Sequence, residues 1–181
     1  MFKFAFVINM PGYTPDTYST VWQDENEYNF VAGVDGIEAG KEFVKKLASE
    51  GYELFNLCGD FDAEVTAEIQ KAVGESAEVE CSKYTEAEAA KLGALETLQN
   101  YGIIILVEGA DGIEEAYLES PDCNTTVMFV KDMENAKLAA AKLVEKGIDF
   151  IELCSWFDEE KLNEIIAVTE NKVPVGTCAA L

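Results

Sequence analysis

Glu152 lies between Ile151 and Leu153 in a run that reads as a covered strand. A carboxylate buried there has its charged form disfavoured and its pKa raised, which makes it a default acid–base candidate. The competing reading is structural: the side chain points into an interface and pairs with a lysine or with backbone amides. Cys58 and Cys154 are expected where such strands end, before a helix whose amino terminus would lower a thiol's pKa. Cysteine is also among the most often buried residues, and packing is the favoured reading of both thiols. The chain has no histidine, and all 13 of its cations are lysines. Histidine-dependent triads and histidine-bearing metal sites are therefore excluded, and no arginine fork is present for carboxylates or phosphates.

A second set of residues points to binding. The segment Asn9–Glu27 contains Pro11-Gly12, three aromatic residues in Tyr13, Tyr18 and Trp22, and the acids Asp24, Glu25 and Glu27. A long aromatic and acidic loop over strand ends is suited to a neutral or cationic small molecule. Asn9, Trp22, Asp60, Phe61 and Trp156 are the expected ligand-binding residues, at the carboxyl ends of parallel strands where open α/β sheets place ligands. Asp60, Asp62 and Glu64 give a D-x-D-x-E run, yet Val65 and Lys71 occupy the places where a calcium loop needs glycine and glutamate. No metal and no cofactor is expected. Asp62 and Asp158 read instead as helix N-caps.

The 35 acidic side chains leave a net charge of −22 over 181 residues, of which 49% are apolar. That apolar content is enough to fold. Nucleic acid is a poor partner because the phosphate backbone requires a basic footprint. No apolar stretch approaches the ~20 residues of a membrane span. The opening Met1–Ile8 reads as a strand rather than a leader, since Asn9 and Pro11-Gly12 interrupt it. Five widely spaced cysteines without a C-x-x-C pair suit a reducing cytoplasm and five unbridged thiols.

The elements that must position these groups are written twice. Sliding the chain by 96 residues aligns 34–79 with 130–175 without a gap, and 14 of the 46 positions are identical. Each half reads as an opening strand, a polar excursion, a second strand, a helix, a strand, a helix and a closing strand. The fold class expected is α/β: two tandem β-β-α-β-α-β units with mainly parallel sheets, packed as a pseudo-two-fold dimer. Asp35 or Asp132 is placed to cap the first helix of each unit. The divisions expected are a first repeat over 1–84, a tether helix over 85–100, about 14 residues of it helical, and a second repeat over 101–181. Thr85-Glu-Ala-Glu88 opens the tether as a capping box. Homo-oligomerisation stays open.

The block Gly51-Tyr-Glu-Leu-Phe-Asn-Leu-Cys-Gly-Asp-Phe61, and its copy from Gly147 to Phe157, resembles a family. It is a bacterial family of small single-unit α/β proteins, known only as a domain of unknown function, with a G-x-x-x-I-E-L-C-G-x-F core. Val173-Pro-Val-Gly176 is similar to its closing strand, whereas Ala77-Glu-Val-Glu80 departs from it. The resemblance implies architecture and no activity. Two functions follow from the residues: a small-molecule-binding or assembly protein, or a cofactor-independent isomerase or lyase using Glu152 and a strand-end cysteine.

Overall fold

A computed structural model describes residues 1–181. The chain divides into two compact units, Met1–Ser82 and Lys83–Leu181. The first contains β1 (Phe2–Asn9), β2 (Ser19–Gln23), β3 (Glu27–Val34), α1 (Ile37–Ser49), β4 (Leu54–Cys58), α2 (Ala63–Val73) and β5 (Glu78–Cys81). The second opens with α3 (Glu86–Gly93) and then repeats the order as β6 (Asn100–Leu106), β7 (Ile113–Leu118), β8 (Asn124–Val130), α4 (Met133–Glu145), β9 (Phe150–Leu153), α5 (Glu159–Val168) and β10 (Val175–Thr177). The sheet orders are β2-β3-β1-β4-β5 and β10-β9-β6-β8-β7. Within each, only the hairpin strand added at one edge is antiparallel.

Those hairpin strands, β2 and β7, fall within the polar excursions expected to be loops. Each is an edge strand with one neighbour, so it tolerates the polar and exposed residues that hide it in the sequence. Each repeat therefore has three strands before its first helix rather than two. The helix at the junction is also shorter than expected, ending at Gly93, and it belongs to the second unit. Leu95 and Leu98 lie beyond it, and Leu98 is largely exposed.

Both crossovers in a unit step the same way across the sheet, so right-handed connections put both helices on one face. In the first unit Ala5, Val7, Phe55 and Leu57 pack there against Val44, Leu47 and Ile69 of the helices. Strand alternation sends Phe4, Phe6, Ile8, Asn56 and Cys58 to the opposite face, where all five are buried. In the second unit a Cβ at Gly102 would approach Leu143 and Ile148 to 3.0 and 3.1 Å, which fixes the helix-facing side of β6. Ile103, Glu152 and Gly176, adjacent across the register, therefore share the helix-free face.

The repeat preserves the ties between helices. Lys41 of α1 meets Glu68 of α2 at 2.8 Å and Lys137 of α4 meets Glu164 of α5 at 2.5 Å, at equivalent positions. Hydrogen bonding to Glu68, and then to Glu38, pushes the Lys41 ammonium up to about 12. Asp62, Asp132 and Asp158 cap α2, α4 and α5, each accepting the backbone N–H three residues on. Asp35 does not cap α1. Gly36 takes the cap position with φ of 90°, and Asp35 Oδ1 accepts from the Gly12 amide at 2.7 Å instead.

Candidate functional site

Two clusters follow from this scaffold, one in each unit. At the carboxyl ends of β1 and β4 the chain leaves in opposite directions, toward β2 after Asn9 and toward α2 after Cys58. Adjacent strands with diverging exits form the crevice where α/β folds hold ligands. Asn9 and Asp60 meet there, Asn9 Nδ2 donating to Asp60 Oδ2 at 2.9 Å. The bond fixes the amide orientation, because a flipped Asn9 would set its oxygen against the carboxylate. Asn9 Oδ1 is thereby left buried without a hydrogen-bond partner. The turn comes close enough that a Cβ at Gly59, where φ is 74°, would lie 3.1 Å from the Asn9 Cβ.

An open groove of about 370 Å³ lies beside this crevice. One wall is Thr14 and Pro15 of the loop after β1, and the end wall is Val34 and Asp35 at the close of β3. The other side is the face of α1 carrying Ala39, Glu42, Phe43 and Lys46. Asn9 and Val34 are register partners, so crevice and groove share one end of the sheet.

The remaining expected ligand residues disperse. Phe61 is 4% exposed and packs so tightly on α1 that a Cβ at Gly40 would fall inside its ring contact, which makes it core. Trp22 pairs with Asn29, which pairs with Phe4, so it lies toward the amino ends of the parallel strands. That is about 16 Å along the strand from Val34 at ~3.3 Å per residue, because β2 is antiparallel and carries it away. Trp156 is 38% exposed at the end of β9, where Lys161 Nζ stands 4.8 Å from its ring centroid and Asp158 bonds that lysine. Its face already holds a cation.

The acid–base candidates sit in the second unit. Glu152 is 2% exposed, and its Oε1 accepts from the Tyr84 hydroxyl. Tyr84 reaches it by lying flat over Gly176, where a Cβ would come within 2.6 Å of the ring. Two further contacts bind the same segment to β10: Lys83 and Thr177 exchange backbone hydrogen bonds of 2.7 and 3.0 Å, and Glu88 Oε2 accepts from the Val175 amide at 2.9 Å. Cys154 is buried just past β9, and burial pushes its thiol up despite a 3.5 Å contact from the Leu106 amide. Cys58 ends β4, also buried. No disulfide joins any of the five cysteines.

Tyr84, Gly176, Glu88 and Asp35 lay outside the expected site. Gly176 carried a signal as the glycine of the closing strand, Asp35 and Glu88 read as capping residues, and Tyr84 is placed by a contact distant in sequence.

The molecule is thus a tandem of one mixed, mostly parallel α/β unit with a polar crevice in the first copy and a buried carboxyl–phenol contact in the second. The chain belongs to DUF6506, a family of unknown function, whose model matches it twice, over residues 2–97 and 99–180. No curated protein matches the chain. Among solved structures it is similar to unliganded arylmalonate decarboxylase, at 14% identity and a TM-score of 0.33, covering 98% of this chain and 87% of that one. A further crystal structure of arylmalonate decarboxylase gives 13% identity and a TM-score of 0.33, covering 97% and 87%. A solute-binding protein of an ABC transporter system from Conexibacter woesei DSM 14684 gives 12% identity and a TM-score of 0.31, covering 97% and 69%. Likeness of this order transfers neither activity nor residue roles. No helix is long and apolar enough to cross a membrane.

Proposed function

We propose that the chain is a small-molecule-binding protein, with its site in the groove and crevice at the strand ends of the first unit. The observation that carries this reading is that an open concavity lies at these strand ends. The groove opens at the carboxyl end of β3, against the loop after β1, while the thiol and carboxyl that an enzyme would use are sealed. A thiol raised by burial is a poor nucleophile at neutral pH, and this chain has no histidine to deprotonate it. Lysines aside, the strand ends present carboxylates, so phosphorylated molecules meet repulsion.

The test is thermal stabilisation of the intact protein. Neutral or cationic small molecules at millimolar concentration should raise Tm by mass action, while nucleotides and sugar phosphates should not. Stabilisation by a nucleotide would sink this reading.

One observation favours the second reading, a cofactor-independent isomerase or lyase: a buried carboxyl in contact with a phenol is an acid–base pair in its own right. Glu152→Gln separates the two. It preserves an acceptor for Tyr84, so a change in Tm alone supports structure, and loss of a turnover supports the enzyme.

A further inference from the structure

We infer that the groove of the first unit selects an organic cation, an ammonium carried on an apolar body, and that Asp35 is the residue that selects it. This rests on the binding reading above and narrows it to one chemical class. Pro15, Val34, Ala39 and Phe43 supply apolar walls for the body. Three ionisable groups stand at the rim, and two of them have a partner of opposite charge. Glu42 meets Lys45 at 2.7 Å, and Lys46 lies 4.0 Å from Glu50. Asp35 is exposed and holds only the Gly12 amide, at 2.7 Å on Oδ1. Its charge is therefore the one left uncompensated at the groove. An anion drawn toward the amino end of α1 would meet that carboxylate first. An ammonium gains from it, and Phe43 lines the same groove, where an aromatic ring favours a cation.

The second unit provides an internal contrast. At the 96-residue offset Lys131 replaces Asp35, Leu138 replaces Glu42 and Ala139 replaces Phe43. The charge is reversed and the ring is gone, so the duplicated chain should bind one cation rather than two.

The experiment titrates the intact protein with benzylammonium chloride and, separately, with its neutral counterpart benzyl alcohol. Binding is followed by methyl NMR of Val34 and Ala39 at about 150 mM salt, which suppresses diffuse attraction to a strongly acidic surface. Asp35→Asn retains the acceptor for Gly12 and so the loop contact, and Glu25→Gln removes one charge from an exposed position elsewhere. The expected result is saturable perturbation at one site per chain, with benzylammonium binding about tenfold or more tighter than benzyl alcohol. That preference should vanish in Asp35→Asn and persist in Glu25→Gln. Equal binding of the two probes would overturn the cation assignment, and full preference in Asp35→Asn would overturn the role of Asp35; either result leaves the groove reading standing. No saturable perturbation by either probe would overturn both.

Discussion

The two units solve the same backbone problem with different chemistry. Each ends its sheet on an edge strand, β5 or β10, that carries a valine, Val79 or Val175, whose amide points away from the sheet. In the first unit Gln70 of α2 turns back on that strand: its Oε1 accepts from Val79 N–H at 2.8 Å, and its Nε2 donates to the Ala77 carbonyl at 3.0 Å. The equivalent residue in the second unit is Ile166, which can do neither. There Val175 N–H is taken by Glu88 of α3, a helix with no counterpart in the repeat. A buried amide must find an acceptor, and where the second copy has Ile166 in place of the glutamine, Glu88 supplies a carboxylate. The helix-free faces diverge in step. Asn56 and Glu80 are register partners in the first unit, Glu152 and Gly176 in the second. Only the glycine leaves room for Tyr84 to lie over β10 and reach Glu152.

The largest effect expected from breaking this arrangement is that of Gly176→Ala. The added methyl would stand within 2.6 Å of the Tyr84 ring and would displace it from Glu152. Overpacking of that kind costs ~1–3 kcal/mol, and loss of the buried contact adds to it. Denaturant midpoints measure it. A glycine chosen for the contrast, Gly93→Ala, meets nothing within 4 Å and should be neutral or slightly stabilising. Equal effects at the two positions would refute the packing account.

Next come the two amide acceptors. Gln70→Ala and Glu88→Ala each strand a backbone N–H and should each cost ~1–3 kcal/mol. Glu88→Gln keeps an oxygen for Val175 but loses the 2.5 Å ion pair with Lys91, and should cost less than Glu88→Ala. Because the two amides lie in different units, hydrogen exchange should show Gln70→Ala loosening β5 and Glu88→Ala loosening β10. Loosening of the same strand by both would break the comparison.

The pattern of what the sequence revealed follows the range of the interactions. The 96-residue repeat, the Asp62 and Asp158 caps and the alternating core strands depend on neighbours within a few residues, and these were legible. β2 and β7 were not, because an edge strand can be polar without penalty. Asp35 looked like a cap by position, but the Gly12 amide competes for it from across the loop. Trp22 was expected among the ligand-binding residues and is carried off by the antiparallel turn of β2. Tyr84 and Glu88 reach residues 68 and 87 positions away, and no local pattern encodes such a meeting. At the strand ends, Asn9 and Asp60 were expected near one another and do meet, whereas Asp35 comes to the groove beside residues that no local pattern links to it.

The smallest expected effect concerns alkaline pH and again separates the units. Tyr52 packs edge-on to Tyr28 in the first unit, with ring centroids 6.1 Å apart; the second unit has Ile148 and Asn124 at these places. Burial, with the neighbouring Tyr28 hydroxyl second, pushes the Tyr52 phenol up from 10.0 to about 12. The folded state thus holds this proton more tightly than the unfolded chain does. The stability it contributes is complete below pH 10 and is lost as pH rises through about 12. Partial solvent screening keeps the amount on the order of 1 kcal/mol. The loss should fall on the first unit, and the molecule carries its own reporters, Trp22 there and Trp156 in the second. Trp22 is 9% exposed, so its emission moves to longer wavelength when the first unit opens. In a Trp156→Phe background the denaturant midpoint read at Trp22 should fall between pH 10 and 12. Adding Tyr52→Phe should blunt that fall, whereas Trp156 in a Trp22→Phe background should show less of it. A fall of equal size at both tryptophans, unchanged by Tyr52→Phe, would mean that alkaline loss is general repulsion in an acidic chain rather than the titration of one phenol.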